Sequence, residues 1–121
     1  MLVREIKRGR GPAVRAHDMV FIDYIEGNYR TGNGFNRSWA GGQYATTGAI
    51  LTPRGSARGL LAGMKGMRPG ARRQIVAPPR LGGLEQGHAD YHVFIYWDVV
   101  LRKILARGCS ADGKHCRSIT P

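Results

Sequence analysis

The sequence predicts an α+β fold, with about five short strands in an antiparallel sheet and one short helix lying over it. Three observations predict this. Several short runs alternate apolar and polar residues at the period of a strand. Only one stretch, near the middle of the chain, places apolar residues at helical spacing. Glycine supplies 18 of 121 residues, so turns are frequent and connections short, which favours antiparallel neighbours. The length suits one domain with one real core. The 42% apolar and 22% charged content is that of an ordered globule.

The elements follow in order. Residues 2–8 (LVREIKR) form a first strand, ended by Gly9-Arg10-Gly11-Pro12. After a turn at Ala16-His17-Asp18, MVFIDYIEG (19–27) puts Val20, Ile22 and Tyr24 on one face and Phe21, Asp23 and Ile25 on the other. Residues 28–42, rich in glycine and asparagine, read as loop and hold Phe35 and Trp39. Residues 43–51 (QYATTGAIL) can form a strand, and Thr52-Pro53-Arg54-Gly55 a turn. Ser56 can cap a helix over Ala57 to Met64, with Leu60, Leu61 and Met64 on one side. At about two turns, such a helix needs tertiary packing to exist. The run 72–78 (RRQIVAP) is a strand stopped by Pro78-Pro79, and 80–90 a loop. The last strand, 91–104, is the longest, with Val93, Ile95, Trp97, Val99 and Leu101 on one face. The domain thus spans 1–105, followed by a tail over 106–121.

The net charge of +11 permits nucleic acid, an anionic surface or an acidic protein as partner. The bases are spread out, in clusters no longer than Lys7-Arg8-Gly9-Arg10, Arg72-Arg73 and Arg102-Lys103, and aromatics do not interleave with them. That pattern fits a solvated arginine-rich surface and argues against a nucleic-acid platform. No stretch approaches a membrane span of roughly 20 apolar residues, and Arg4 and Glu5 interrupt any leader at once. The expectation is therefore a cytoplasmic protein without a membrane partner. The tail segment CSADGKHC (109–116) leaves two states open. Asp112-Gly113 can turn the chain so that Cys109 and Cys116 form a disulfide, or the two thiols stay free. An oxidised pair would suit a secreted or periplasmic protein whose leader has been removed. A metal site with His115 would need more ligands than the segment holds, and His17, His88, His92 and His115 share no ligand spacing, so no metal is expected. Asp23 and Asp98 are lone strand acids, best explained as partners of arginines.

The order of these stretches carries a resemblance. Gly11-Pro12-Ala13-Val14, then Asp18, then a strand with Tyr24; Phe35 after a glycine turn; Gly59, Gly66-Met67 to Gly70, Arg72-Arg73, Ile75 and Pro78-Pro79; and Trp97-Asp98-Val99 in the closing strand together resemble the FKBP family of peptidyl-prolyl cis-trans isomerases. Residues 59–79 are the most specific part, and the likeness covers about residues 3–104. The resemblance implies a five-stranded antiparallel half-barrel sheet wrapped around one short α-helix, a proline-containing peptide or protein as substrate, a folding-helper role and a macrolide as a ligand, with no cofactor. Isomerisation needs no ionic machinery. The barrier of roughly 18–20 kcal/mol comes from amide resonance, and an apolar pocket that favours the twisted amide lowers it.

The catalytic positions carried over are Tyr24, Phe35, Asn36, Leu60 and Trp97, and the substrate-contacting ones Ser56, Ala57, Gly83 and His88. Several depart from the family pattern. Asn36 stands where the family has an acid, Leu60 where it usually has tryptophan, and Ser56 and Ala57 where it has larger apolar residues. Leu81-Gly82-Gly83-Leu84 replaces the loop tyrosine. Turnover would then be slow or lost, and the alternative is a binding module that holds an acidic protein partner through its basic surface. Tyr24, Phe35 and Trp97 also fit plain core positions.

Overall fold

A computed structural model describes residues 1–37 (backbone alone at 35–37), 48–53, 58–81 and 92–119. Six strands, one α-helix and one 3-10 turn follow in the order β1 (Leu2–Lys7), β2 (Met19–Asn28), β3 (Gly34–Arg37), β4 (Ala49–Leu51), α1 (Arg58–Met64), the turn Pro79–Leu81 after β5 (Arg72–Ala77), and β6 (Ile95–Ala106). The sheet order is β1-β5-β6-β2-β3, with β4 also on β2, and all pairings are antiparallel. β3 pairs with the far end of β2, at Ile25–Gly27, and β4 with its near end, at Val20–Ile22. The two share one edge in succession, so the sheet is five strands wide with α1 against it. The fold class expected from the sequence is present.

Several element bounds differ from expectation. β1 stops at Lys7, and β6 runs on to Ala106, past residue 104 and the expected domain end at 105. Two differences have a clear cause. The stretch 28–42 was expected to be loop, yet Gly34–Arg37 pairs with β2. Four residues reading GFNR carry no alternation, and only the partner strand recruits them. The last strand begins at Ile95, not at residue 91, because Ile95 pairs with Asn28 and Ala77, the final residues of both neighbours. Ahead of it, Phe94 still accepts a backbone bond from the Tyr29 N–H at 3.0 Å, and residue 91 lies outside the described residues. The expected strand residues 43–47 and the capping Ser56 lie outside the described residues.

The core lies between the sheet's inner face and α1. Val20 and Ile22 of β2, Ile75 of β5, and Ile95, Trp97, Val99 and Leu101 of β6 meet Leu60 and Met64 of α1, with Met67 just beyond. Burial of each large side chain contributes about 1.5–3 kcal/mol. The helix approaches β5 closely through two glycines one turn apart. A Cβ on Gly59 would lie 2.7 Å from that of Ala77, and one on Gly63 2.7 Å from Ile75 Cδ1. The outer face carries the expected arginine pairs. Arg72 grips Asp98 through two hydrogen bonds of 2.8 and 2.6 Å, and Arg102 Nε donates to Asp23 at 2.7 Å. A forked guanidinium matches a carboxylate in this way. No helix among the described residues is long and apolar enough to cross a membrane.

Beyond β6 the chain turns back. Arg107 and Ser118 form a β-bridge, and a disulfide joins Cys109 to Cys116. The Cys109 N–H donates to the His17 carbonyl at 2.9 Å, which ties this hairpin to the loop ahead of β2.

Candidate functional site

The site expected from the sequence is built on three elements. β2 supplies Tyr24, β6 supplies Trp97, and α1 supplies Leu60. Tyr24 pairs with Val99, and Glu26 with Trp97. Tyr24 and Trp97 are therefore diagonal neighbours on the inner face, within reach of large side chains. Tyr24 is partly buried against the core cluster, Leu60 is 4% exposed and Trp97 is wholly buried. The structure brings these three to one layer under the helix. In this conformation Trp97 offers no surface to a ligand.

Phe35 and Asn36 lie on β3, where the backbone of Asn36 pairs in register with Glu26. Ser56, Ala57, Gly83 and His88, together with Trp39, lie outside the described residues.

Sequence reasoning missed Glu26. Its carboxylate accepts a hydrogen bond from the indole Nε1–H of Trp97. A buried indole N–H needs such a partner, because desolvating it unpaired is costly. The strand register puts Glu26 between Asn36 on one side and Trp97 on the other. The period-two pattern of β2 offered a clue, since Glu26 falls on the same face as Ile22 and Tyr24, where an acid requires a reason. Among the described residues, no group of three or more His, Cys, Asp or Glu is arranged to hold a metal ion. Among the described residues, the inner face carries apolar side chains, the phenol of Tyr24 and the hydrogen-bonded carboxylate of Glu26.

No family model matches the chain, and no curated protein matches it by sequence. Solved structures do match. FkpA from Escherichia coli superimposes with a TM-score of 0.68 at 22% identity, over 84% of this chain and 46% of that one. The N-terminal domain of FKBP42 from Arabidopsis thaliana gives 0.68 at 18% identity, over 82% of this chain and 81% of that one. A peptidyl-prolyl cis-trans isomerase from Pseudomonas syringae pv. tomato gives 0.67 at 18% identity, over 84% and 73%. The chain spans less than half of FkpA.

Proposed function

From a chain that has the FKBP-type fold, we propose that the protein accelerates cis-trans isomerisation of X–Pro bonds in a proline-containing peptide or protein, and does so slowly. The observation that carries this reading is the adjacency of Tyr24 and Trp97 on the inner face of a sheet that matches isomerases over most of this chain. A proline ring held against such apolar walls loses water, and a twisted amide is less polarised by resonance than a planar one. The walls therefore favour the twisted state over both planar ones. The Tyr24 hydroxyl is the group suited to hydrogen-bond the substrate carbonyl, and Glu26 supplies a carboxylate one strand away from Asn36. Slowness follows from the small floor at Leu60 and from the complete burial of Trp97, which a substrate reaches only if neighbouring groups move aside.

That burial also favours a second reading, in which the fold serves as a binding module for an acidic partner and the net charge of +11 supplies the attraction. A protease-coupled assay on short X–Pro peptides separates the two. Acceleration that Tyr24→Ala reduces about tenfold, a loss of some 1.4 kcal/mol of transition-state stabilisation, supports isomerisation, provided the variant's circular dichroism is native. No acceleration from folded protein rejects it. A macrolide added in parallel tests the ligand the fold implies; inhibition would locate turnover in the pocket. The disulfide fits a protein working in an oxidising compartment, and that localisation is part of the proposal.

A further inference from the structure

Two recesses meet beside the C-terminal half of α1 and the loop ahead of β2. One is a cavity of about 250 Å³ with an apolar wall made by Val14, Val20, Pro53, Leu61 and Met64. The other is a wide open cleft of about 1320 Å³ between the 12–18 loop and the disulfide hairpin. They share Arg15, Ala16, His17, Asp18 and Lys65 as a common rim. Neither is lined by Tyr24, Leu60 or Trp97.

The cleft is strongly basic. Its lining holds Arg15, Lys65, Arg107 and Arg117 against the single acid Asp18. That acid is already occupied, because Asp18 Oδ2 accepts the Arg15 backbone N–H at 2.8 Å and lies 3.1 Å from Arg107 NH1. Arg107 also donates to the Ala13 carbonyl at 3.1 Å. Arg107 thus neutralises Asp18 and fixes the loop. Among the described residues, no carboxylate forms an ion pair with Arg15, Lys65 or Arg117, and all three are exposed. Among the described residues these three charges have no acid partner, so the cleft is complementary to an anion.

The walls are held in place before any ligand arrives. Val14 N–H donates to the Met67 carbonyl at 2.7 Å, and Gly66 N–H returns a bond to Val14 at 2.9 Å. His17 takes a left-handed backbone with φ of 67°, and its carbonyl receives the Cys109 N–H. A non-glycine residue rarely adopts this conformation, and the bond from the hairpin holds it in place. A pre-formed site loses less entropy on binding.

We propose that this double recess binds an acidic peptide segment, with one large apolar side chain in the cavity and flanking carboxylates on Arg15, Lys65 and Arg117. The size of the cavity selects the occupant. About 250 Å³ is below the roughly 300–1,000 Å³ of sites for drug-sized ligands and suits one anchoring side chain. The open basic cleft beside it suits an extended chain with several negative groups. The site works independently of turnover and so holds whether or not the isomerase reading stands. It also gives the acidic partner of the second reading a location.

The test is fluorescence anisotropy with a labelled Glu-Glu-Phe-Glu-Glu peptide on the full chain, at low and high salt. Binding should weaken steeply with salt, weaken about tenfold or more in Lys65→Glu and in Arg117→Glu, and weaken similarly when the central residue of the peptide is glycine. Arg30→Glu, which removes the same charge from an exposed loop, should change binding little. Chemical-shift mapping on the wild type should show the peptide perturbing residues 14–18, 65 and 107–118, so the site is tested even if a variant folds poorly. Equal effects of Arg30→Glu and Arg117→Glu would overturn the proposal in favour of diffuse charge attraction. Indifference to the central phenylalanine would overturn the role of the cavity. A single-stranded oligonucleotide of matched charge that binds as tightly would overturn the peptide assignment.

Discussion

On the inner face of the sheet, the indole N–H of Trp97 donates a hydrogen bond to the Glu26 carboxylate. Trp97→Phe keeps an aromatic ring in the core and removes that donor. Urea unfolding should show a loss of about 1.5–3 kcal/mol, the worth of a hydrogen bond to a charged group, and retained native circular dichroism would confirm that the fold survives. Asp18 carries more weight. It caps the turn at Arg15 and balances Arg107, whose side chain is 10% exposed against 1% for its own. Asp18→Ala leaves a buried guanidinium without its counter-charge and should cost about 3–5 kcal/mol in the same measurement. These residues differ in how far the sequence announces them. Asp23 and Asp98 were readable as arginine partners, since each interrupts an apolar strand in an arginine-rich chain. Arg107 was not. An arginine in a segment with no periodicity reads as solvated, and only the return of the chain onto residues 13–18 buries it.

At the level of elements, α1 depends on what its glycines leave out. Seven residues are too few for a helix to stand alone in water, and the contact with β5 is close because Gly59 and Gly63 present no side chain to it. Gly63→Ala gains helix propensity but drives a methyl into Ile75, which is fully buried. The net effect should be destabilising by about 1–3 kcal/mol, read as a lower midpoint in urea. The hairpin beyond β6 has its own supports. Closing the loop of Cys109 to Cys116, with a sequence separation of 7, contributes about 2.5 kcal/mol on the chain-entropy estimate. Reduction should lower the thermal midpoint and weaken capture of the acidic peptide.

Within that hairpin, Asp112 accepts from the Lys114 N–H at 3.0 Å and from Ser110 Oγ at 2.7 Å. The Lys114 bond foremost, then the Ser110 bond, holds its carboxyl below the ordinary value of 3.8. A depressed carboxyl stabilises the folded hairpin above its unfolded value and loses that contribution as pH falls through the folded one. An NMR titration should therefore place the Asp112 midpoint below 3.8 and show the turn intact from neutral pH to about pH 5. The strands of residues 19–27 and 72–78 and the helix were legible because each carries its own period. β3 was not, because its reason for extending lies in β2.

For the molecule as a whole, the resemblance in the order of turns and strands was enough to anticipate the sheet and its helix, because that order records topology even where identity has fallen to 17–22%. The candidate site was less legible. Its residues come from distant strands and a helix, and exposure depends on what packs over them, so Tyr24 and Trp97 could be named but the burial of Trp97 could not. The cleft was invisible for a stronger reason. Its walls lie some ninety positions apart in the chain, and nothing local marks their meeting. The proposed peptide cleft is lined by Arg15, Lys65, Arg107 and Arg117, whereas the layer of Tyr24, Leu60 and Trp97 belongs to the apolar core. Raising salt should weaken capture of an acidic peptide while leaving isomerisation of a neutral X–Pro peptide nearly unchanged, and parallel assays on one sample check this directly.

The first strand has a consequence for how the protein behaves in company. All six residues of β1 are exposed, and among the described residues it pairs only with β5, so one row of amides and carbonyls is open to recruitment by a neighbour. Two copies meeting there about a two-fold axis would have to set residues of the same face opposite each other. The central registers then oppose Arg4 to Arg4 or Glu5 to Glu5, and the irregularity between Glu5 and Lys7 shortens any ladder that forms. The strand thus carries its own gatekeepers against stacking into extended sheets. Replacing both Arg4 and Glu5 with valine removes them, and sedimentation velocity should then reveal self-association at concentrations where the parent chain stays monomeric.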